Sequence, residues 1–119
     1  MAESRNHLMY LEDIQTSMNR IQEYIFGLTF EQFKDDYKTI DAVVRNFEII
    51  GEATKNLPKE VKERYPDTPW SSMYRLRNRL THEYFGIDYE VIWQIASEYL
   101  PQNLSEINSI ISEEKNRSS

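Results

Sequence analysis

The chain has no cysteine, and only three glycines and four prolines among its 119 residues. Without cysteine there are no disulfides and no thiolate metal sites, and the redox compartment stays open. So few breakers argue against many short strands and for long helices. No apolar run approaches the roughly 18 residues that a membrane span needs. The opening stretch MAESRNHLMYLEDI is charged throughout and lacks the apolar core of a secretory signal, so a cytoplasmic location is the expectation.

Hydrophobic residues make up 39% of the chain and charged residues 29%, the balance of a soluble globular protein with one modest core. Residues 1–112 read as a single helical domain and residues 113–119 as a polar, frayed tail. The formal net charge is −6, which argues against general nucleic-acid affinity. Its distribution matters more than its sum. From Thr68 to His82 there is no acidic residue, yet Arg75, Arg77 and Arg79 all fall there. An acidic chain thus carries one basic island, read either as an electrostatic footprint or as chance clustering on a solvated face.

Apolar periodicity divides the chain into helices. Leu8, Leu11, Ile14, Met18, Ile21 and Ile25 form one stripe, which predicts a helix from about Arg5 to a stop at Gly27. Thr29 and Gln32 have the spacing of a capping box that opens a short turn through Phe33. A helix from about Lys38 to Asn56 buries Ile40, Val43, Val44, Phe47 and Ile50, and Leu57 follows on the same side. Pro58 suits the first turn of a short helix to about Arg64, and Tyr65 to Pro69 make a loop. The next helix runs from near Pro69 to about Glu83, and Gly86 breaks it. Asp88 caps a last helix whose stripe is Val91, Ile92, Ile95, Tyr99, Leu104, Ile107, Ile110 and Ile111, bent near Pro101. The predicted fold is an all-α antiparallel bundle of about five helices.

The stretch RLRNRLTHEYFG, from Arg75 to Gly86, concentrates the chemistry. On an ideal helix Trp70, Met73, Leu76, Leu80 and Tyr84 share an arc of roughly 120°, and Arg77 falls inside it. A cation on an apolar face must meet a carboxylate, a carbonyl, water in a groove or an interface, or else snorkel with a buried stem. Asn78, Arg75 and His82 fall opposite. Arg77 and His82 stand roughly 140° apart on a regular helix, so they converge only if the helix loosens near Thr81 or a second subunit closes the site. Together the pair would suit RNA cleavage. Imidazole exchanges protons near neutrality, guanidinium grips phosphate and stabilises added negative charge, and RNA brings its own 2′-hydroxyl nucleophile. With only His7 and His82 as histidines, a zinc site is not expected, and no cofactor or metal is called for.

Arg77-Asn78-Arg79-Leu80-Thr81-His82-Glu83-Tyr84 resembles the Arg-x4-His-x-Tyr motif of the HepT toxins of the HEPN superfamily. Arg45 to Ala53 resembles that family's central helix, and Trp70 and the run Tyr84-Phe85-Gly86-Ile87-Asp88 resemble its flanks. The resemblance implies a toxin ribonuclease that cuts RNA without a metal, with Arg77 and His82 catalytic and Asn78 supporting. It implies a homodimer whose two motifs face a shared cleft. It also implies a toxin–antitoxin pair in which an MntA-type nucleotidyltransferase antitoxin transfers AMP onto Tyr84. Bulk and phosphate charge there would stand beside the cleft and could exclude substrate.

Simpler readings stand beside these. Tyr84 suits a core tyrosine with its hydroxyl at the rim. Arg75 and Arg79 either guide RNA or pair with carboxylates. Glu48 and Glu52, one helical turn apart, suit a solvated or salt-bridged pair better than a catalytic dyad, and His7 is given no chemical role. The alternative function is a non-catalytic helical module that binds nucleotide or the antitoxin. A purely structural dimerisation role would leave the motif unexplained.

Overall fold

The computed structural model describes residues 2–73 and 88–118. Six helices occupy them: α1 (Ala2–Ile25), α2 (Phe30–Lys34), α3 (Tyr37–Asn56), α4 (Lys59–Arg64), α5 (Tyr89–Gln94) and α6 (Leu100–Ser118). A π-helical turn, Ile95–Tyr99, joins α5 to α6. No strand occurs among the described residues, and the fold is all-α, as the periodicity predicts.

Helix α1 is the spine. Leu11, Ile14, Met18 and Ile21 are all at most 1% exposed, because steps of three and four residues place them on one face. That face meets α3 and α6. Helix α3 contributes Ile40, Val43, Phe47 and Ile50, each at most 3% exposed. Each such side chain contributes about 1.5–3 kcal/mol through burial. Helix α6 runs antiparallel to α1. Gln15 of α1 donates to Asn108 at 2.7 Å, and His7, earlier in α1, meets Glu114, later in α6.

Local chemistry sets the helix ends. Gly27 has φ +77°, a left-handed conformation that an L side chain adopts only at a cost, and it turns the chain after α1. The Thr29–Gln32 capping box forms in full. The Gln32 amide N–H donates to Thr29 Oγ1 at 3.2 Å, and the Thr29 amide N–H donates to Gln32 Oε1 at 3.0 Å. It seats Phe33, fully buried, against Trp93 at a ring-centroid distance of 5.1 Å. Asp36 caps α3 and Asp88 caps α5, each accepting from a backbone N–H in the first turn. Asn46, buried on α3, donates to the Ala42 carbonyl, while its Oδ1 has no partner among the described residues.

Two expectations need correcting. Tyr99 does not lie on the buried stripe of the last helical region; it is 54% exposed, and Ala96 and Leu100 are buried at 1% each. The bend expected near Pro101 is the π turn itself, closed by the Leu100 amide N–H on the Ile95 carbonyl. Proline cannot donate to the carbonyl one α-turn back and clashes with it, and a wider turn relieves that crowding. In the wider turn the residue five on from Ile95, and not the one four on, returns to its face, which rotates Tyr99 out and Leu100 in. The second correction concerns the polar tail. Helix α6 continues through Ser118, and Glu114 is 1% exposed.

Candidate functional site

The catalytic pair Arg77 and His82, the supporting Asn78, the modification site Tyr84 and the RNA-contact candidates Arg75 and Arg79 all lie outside the described residues. The structure describes how the chain arrives at that segment and how it leaves. On the way in, α4 ends at Arg64 with Tyr65 as its C-cap, and residues 70–73 are already helical. The Met73 amide N–H donates to the Pro69 carbonyl at 3.1 Å, and Trp70 and Met73 are each only 7% exposed. Met73 rests on α3, with its sulfur 3.8 Å from the Thr54 hydroxyl. Trp70 and Met73 therefore both face inward, as the first two positions of the predicted apolar arc require. On the way out, Asp88 caps α5 with a 2.8 Å bond from the Glu90 amide N–H.

Two concave surfaces border the way in, and a third lies elsewhere on α1 and α3. A cleft of about 500 Å³ is lined by Thr54, Lys55, Lys62, Trp70 and Ser71, with two ammonium groups beside the start of the segment. A more apolar groove of about 300 Å³ includes Met18, Phe47, Met73, Ile95 and Tyr99. Glu48 and Glu52 edge a shallow, polar depression of about 340 Å³ together with Asp13 and Arg45. Glu48 is half-buried and Glu52 exposed. Among the described residues, no three histidines or carboxylates gather as a metal-holding group, and no helix is long and apolar enough to cross a membrane.

Sequence reasoning missed a polar cluster at the end of the bundle where α1 begins and α6 ends. Its centre is Glu114. Arg64 donates through Nη2 to Oε1 at 2.7 Å and through Nε to Oε2 at 3.2 Å. The Tyr65 hydroxyl donates to Oε2 at 2.6 Å. His7 Nε2 stands 2.8 Å from Oε1, and Arg117 Nε stands 3.7 Å from Oε2. Burial alone would raise the Glu114 pKa. The hydrogen bonds from Arg64 and Tyr65 outweigh it and hold the carboxyl below its ordinary value. Glu114 is therefore a carboxylate, which only accepts, so His7 Nε2 carries the proton between them. Burial and then the bond to Glu114 push the Tyr65 phenol above its ordinary range, so it remains the donor. The hydrogen bond to Glu114 likewise raises the Arg64 pKa. A signal for Glu114 existed, since it follows Ile107, Ile110 and Ile111 at seven, four and three residues. Its position on the apolar stripe was masked by the polar residues around it.

Comparison with known proteins agrees with the family resemblance. A family model described as Ribonuclease HepT-like matches residues 14–110. A candidate RNase of Methanocaldococcus jannaschii is 46% identical over 102 residues, covering 86% of this chain and 84% of its own length. A probable ribonuclease HepT of Thermococcus cleftensis is 45% identical over 97 residues, covering 82% of this chain and 88% of its own length. A candidate RNase of Caldanaerobacter subterraneus subsp. tengcongensis is 40% identical over 106 residues, or 89% and 95% of the two chains. No solved structure matches significantly.

Proposed function

Because the chain belongs to the HepT-like ribonuclease family, we propose that it is the toxin of a toxin–antitoxin pair, a metal-independent endoribonuclease that works as a homodimer in the cytoplasm. The observation that carries this reading is the coincidence of family membership with an intact Arg77-x4-His82-x-Tyr84 motif whose Arg77 and His82 fall in the longest stretch of this acidic chain free of carboxylates, Thr68 to His82. His82 takes the proton from a ribose 2′-hydroxyl as that oxygen attacks the adjacent phosphorus. Arg77 holds the non-bridging oxygens and stabilises the charge that builds on the phosphorane. The bond from phosphorus to the 5′-oxygen then breaks, the leaving oxygen takes up the proton that His82 had accepted, and the products carry a 2′,3′-cyclic phosphate and a 5′-hydroxyl. Asn78 orients the pair, and Arg75 and Arg79 contact RNA phosphates on either side of the cut. Each step uses the substrate's own nucleophile together with side chains of the motif, so the chemistry is complete without a metal.

Tyr84 is the control point. An MntA-type nucleotidyltransferase antitoxin transfers AMP from ATP to its hydroxyl and releases pyrophosphate. The added phosphate repels the RNA backbone at the cleft and the adenosine obstructs it.

The test is RNA cleavage by the pure protein in the presence of a chelator. His82→Ala and Arg77→Ala are each expected to lower cleavage by at least about a hundredfold while the dimer stays folded. Cleavage retained by both variants would refute the catalytic assignment. Nucleotide binding without cleavage by the wild-type protein would favour the non-catalytic module. Intact mass after co-expression with the antitoxin should rise by one or more AMP units, and Tyr84→Phe should abolish that gain.

A further inference from the structure

We infer that Glu114 is a positioning residue for the ribonuclease site, acting through Tyr65 and Trp70 on the segment that carries Arg77 and His82. The inference rests on the catalytic reading above and extends it to a residue thirty positions beyond the motif. Glu114 collects three short hydrogen bonds from groups far apart in the chain: His7 at the start of α1, and Arg64 and Tyr65 at the end of α4. Two distant chain segments are therefore tied to one carboxylate of α6 that is 1% exposed.

Tyr65 passes that constraint on. Its hydroxyl is held by Glu114, and its carbonyl accepts twice, from the Thr68 amide N–H at 3.2 Å and from the Trp70 indole N–H at 3.0 Å. Trp70 and Met73 then form the buried helical turn from which the chain enters the basic island. Arg75 is only two residues beyond Met73, and Arg77 four. A side-chain network fixed at both ends of Tyr65 sets the starting point and rotation of that turn. Reacting groups displaced by about 1 Å lose roughly a hundredfold in rate, so the anchor of the turn bears directly on catalysis. Among the described residues, Glu114 lines neither of the two clefts that Trp70 and Met73 border, so its effect falls on kcat and not on RNA binding.

The experiment uses the full chain as Glu114→Gln and, because that variant could lose stability, Tyr65→Phe, which removes a single hydroxyl. Folding is checked by circular dichroism well below each melting temperature. Two readouts decide. In RNA cleavage, both folded variants should lose about tenfold or more in kcat with KM within about twofold of wild type. In NMR, the His82 ring resonances, identified by their loss in His82→Ala, should shift their titration curve in both variants. The indole N–H peak of Trp70 should also move, and that of Trp93, the chain's other tryptophan, should stay. Folded variants with unchanged kcat and an unchanged His82 titration would overturn the inference. If the wild-type protein cleaves no RNA, the catalytic reading fails, and the His82 and Trp70 resonances still decide whether Glu114 positions the segment.

Discussion

The middle of the bundle and its Glu114 end are held together by opposite kinds of physics. In the middle, Leu11, Ile14, Ile21, Val43 and Ile107 are completely buried and hydrocarbon throughout. Their attraction is non-directional and scales with buried area, so it yields gradually as methyl groups are removed. At the end, one carboxylate satisfies three donors from two distant parts of the chain, and each bond depends on charge and direction. Such a cluster is strong when complete and costly when one member is missing, because the remaining groups are left desolvated and unmatched. The middle therefore supplies most of the stability, whereas the end specifies which segments meet.

The largest effect should come from hollowing the middle. Ile107→Ala is expected to cost about 3 kcal/mol by urea denaturation, and Ile107→Val only about 1 kcal/mol, a graded response to volume. Glu114→Gln sharpens the contrast, because it preserves shape and removes only charge and acceptor capacity. Packing alone predicts almost no change. The hydrogen-bonded cluster predicts a loss of about 2 kcal/mol at neutral pH.

That loss should also depend on pH. The folded pKa of Glu114 lies below its ordinary value of 4.5, so the charged form is stabilised by folding. The advantage of wild type over Glu114→Gln is therefore full above about pH 4.5 and shrinks as pH falls through the depressed folded value. Denaturation curves for both proteins at neutral and acid pH measure it. A gap that does not narrow in acid would mean that the carboxylate's charge contributes nothing. The smallest effect should come from Thr29→Ala, which opens the capping box far from both regions. It is expected to lower stability by about 1 kcal/mol and to leave RNA cleavage unchanged.

The parts of the fold that were legible in the sequence are those governed by near neighbours in the chain. The stripe from Leu11 to Ile21, the stop at Gly27, the Thr29–Gln32 box and the cap at Asp88 each depend on residues within a turn or two, and the structure has them all. The motif from Arg77 to Tyr84 was legible as chemistry, and the family comparison supports the ribonuclease class to which it points. Tyr99 was misplaced because a regular 3.6-residue period was carried through Ile95–Tyr99, just before Pro101, where the helix widens by a residue. Glu114 was overlooked for a different reason. Its neighbours in sequence are polar, and the groups that make its burial affordable lie about 50 and 107 residues away.

By itself, then, the order of residues determined the helices, their caps and the reactive pair proposed for catalysis, because helix formation and proton chemistry depend on local spacing and on side-chain type. Only the tertiary structure decided that a charged residue near the C-terminus would be buried and that it would join the start of α1 to the turn entering the basic island. A carboxylate can leave water only where donors converge on it, and that convergence exists only once distant helices have packed.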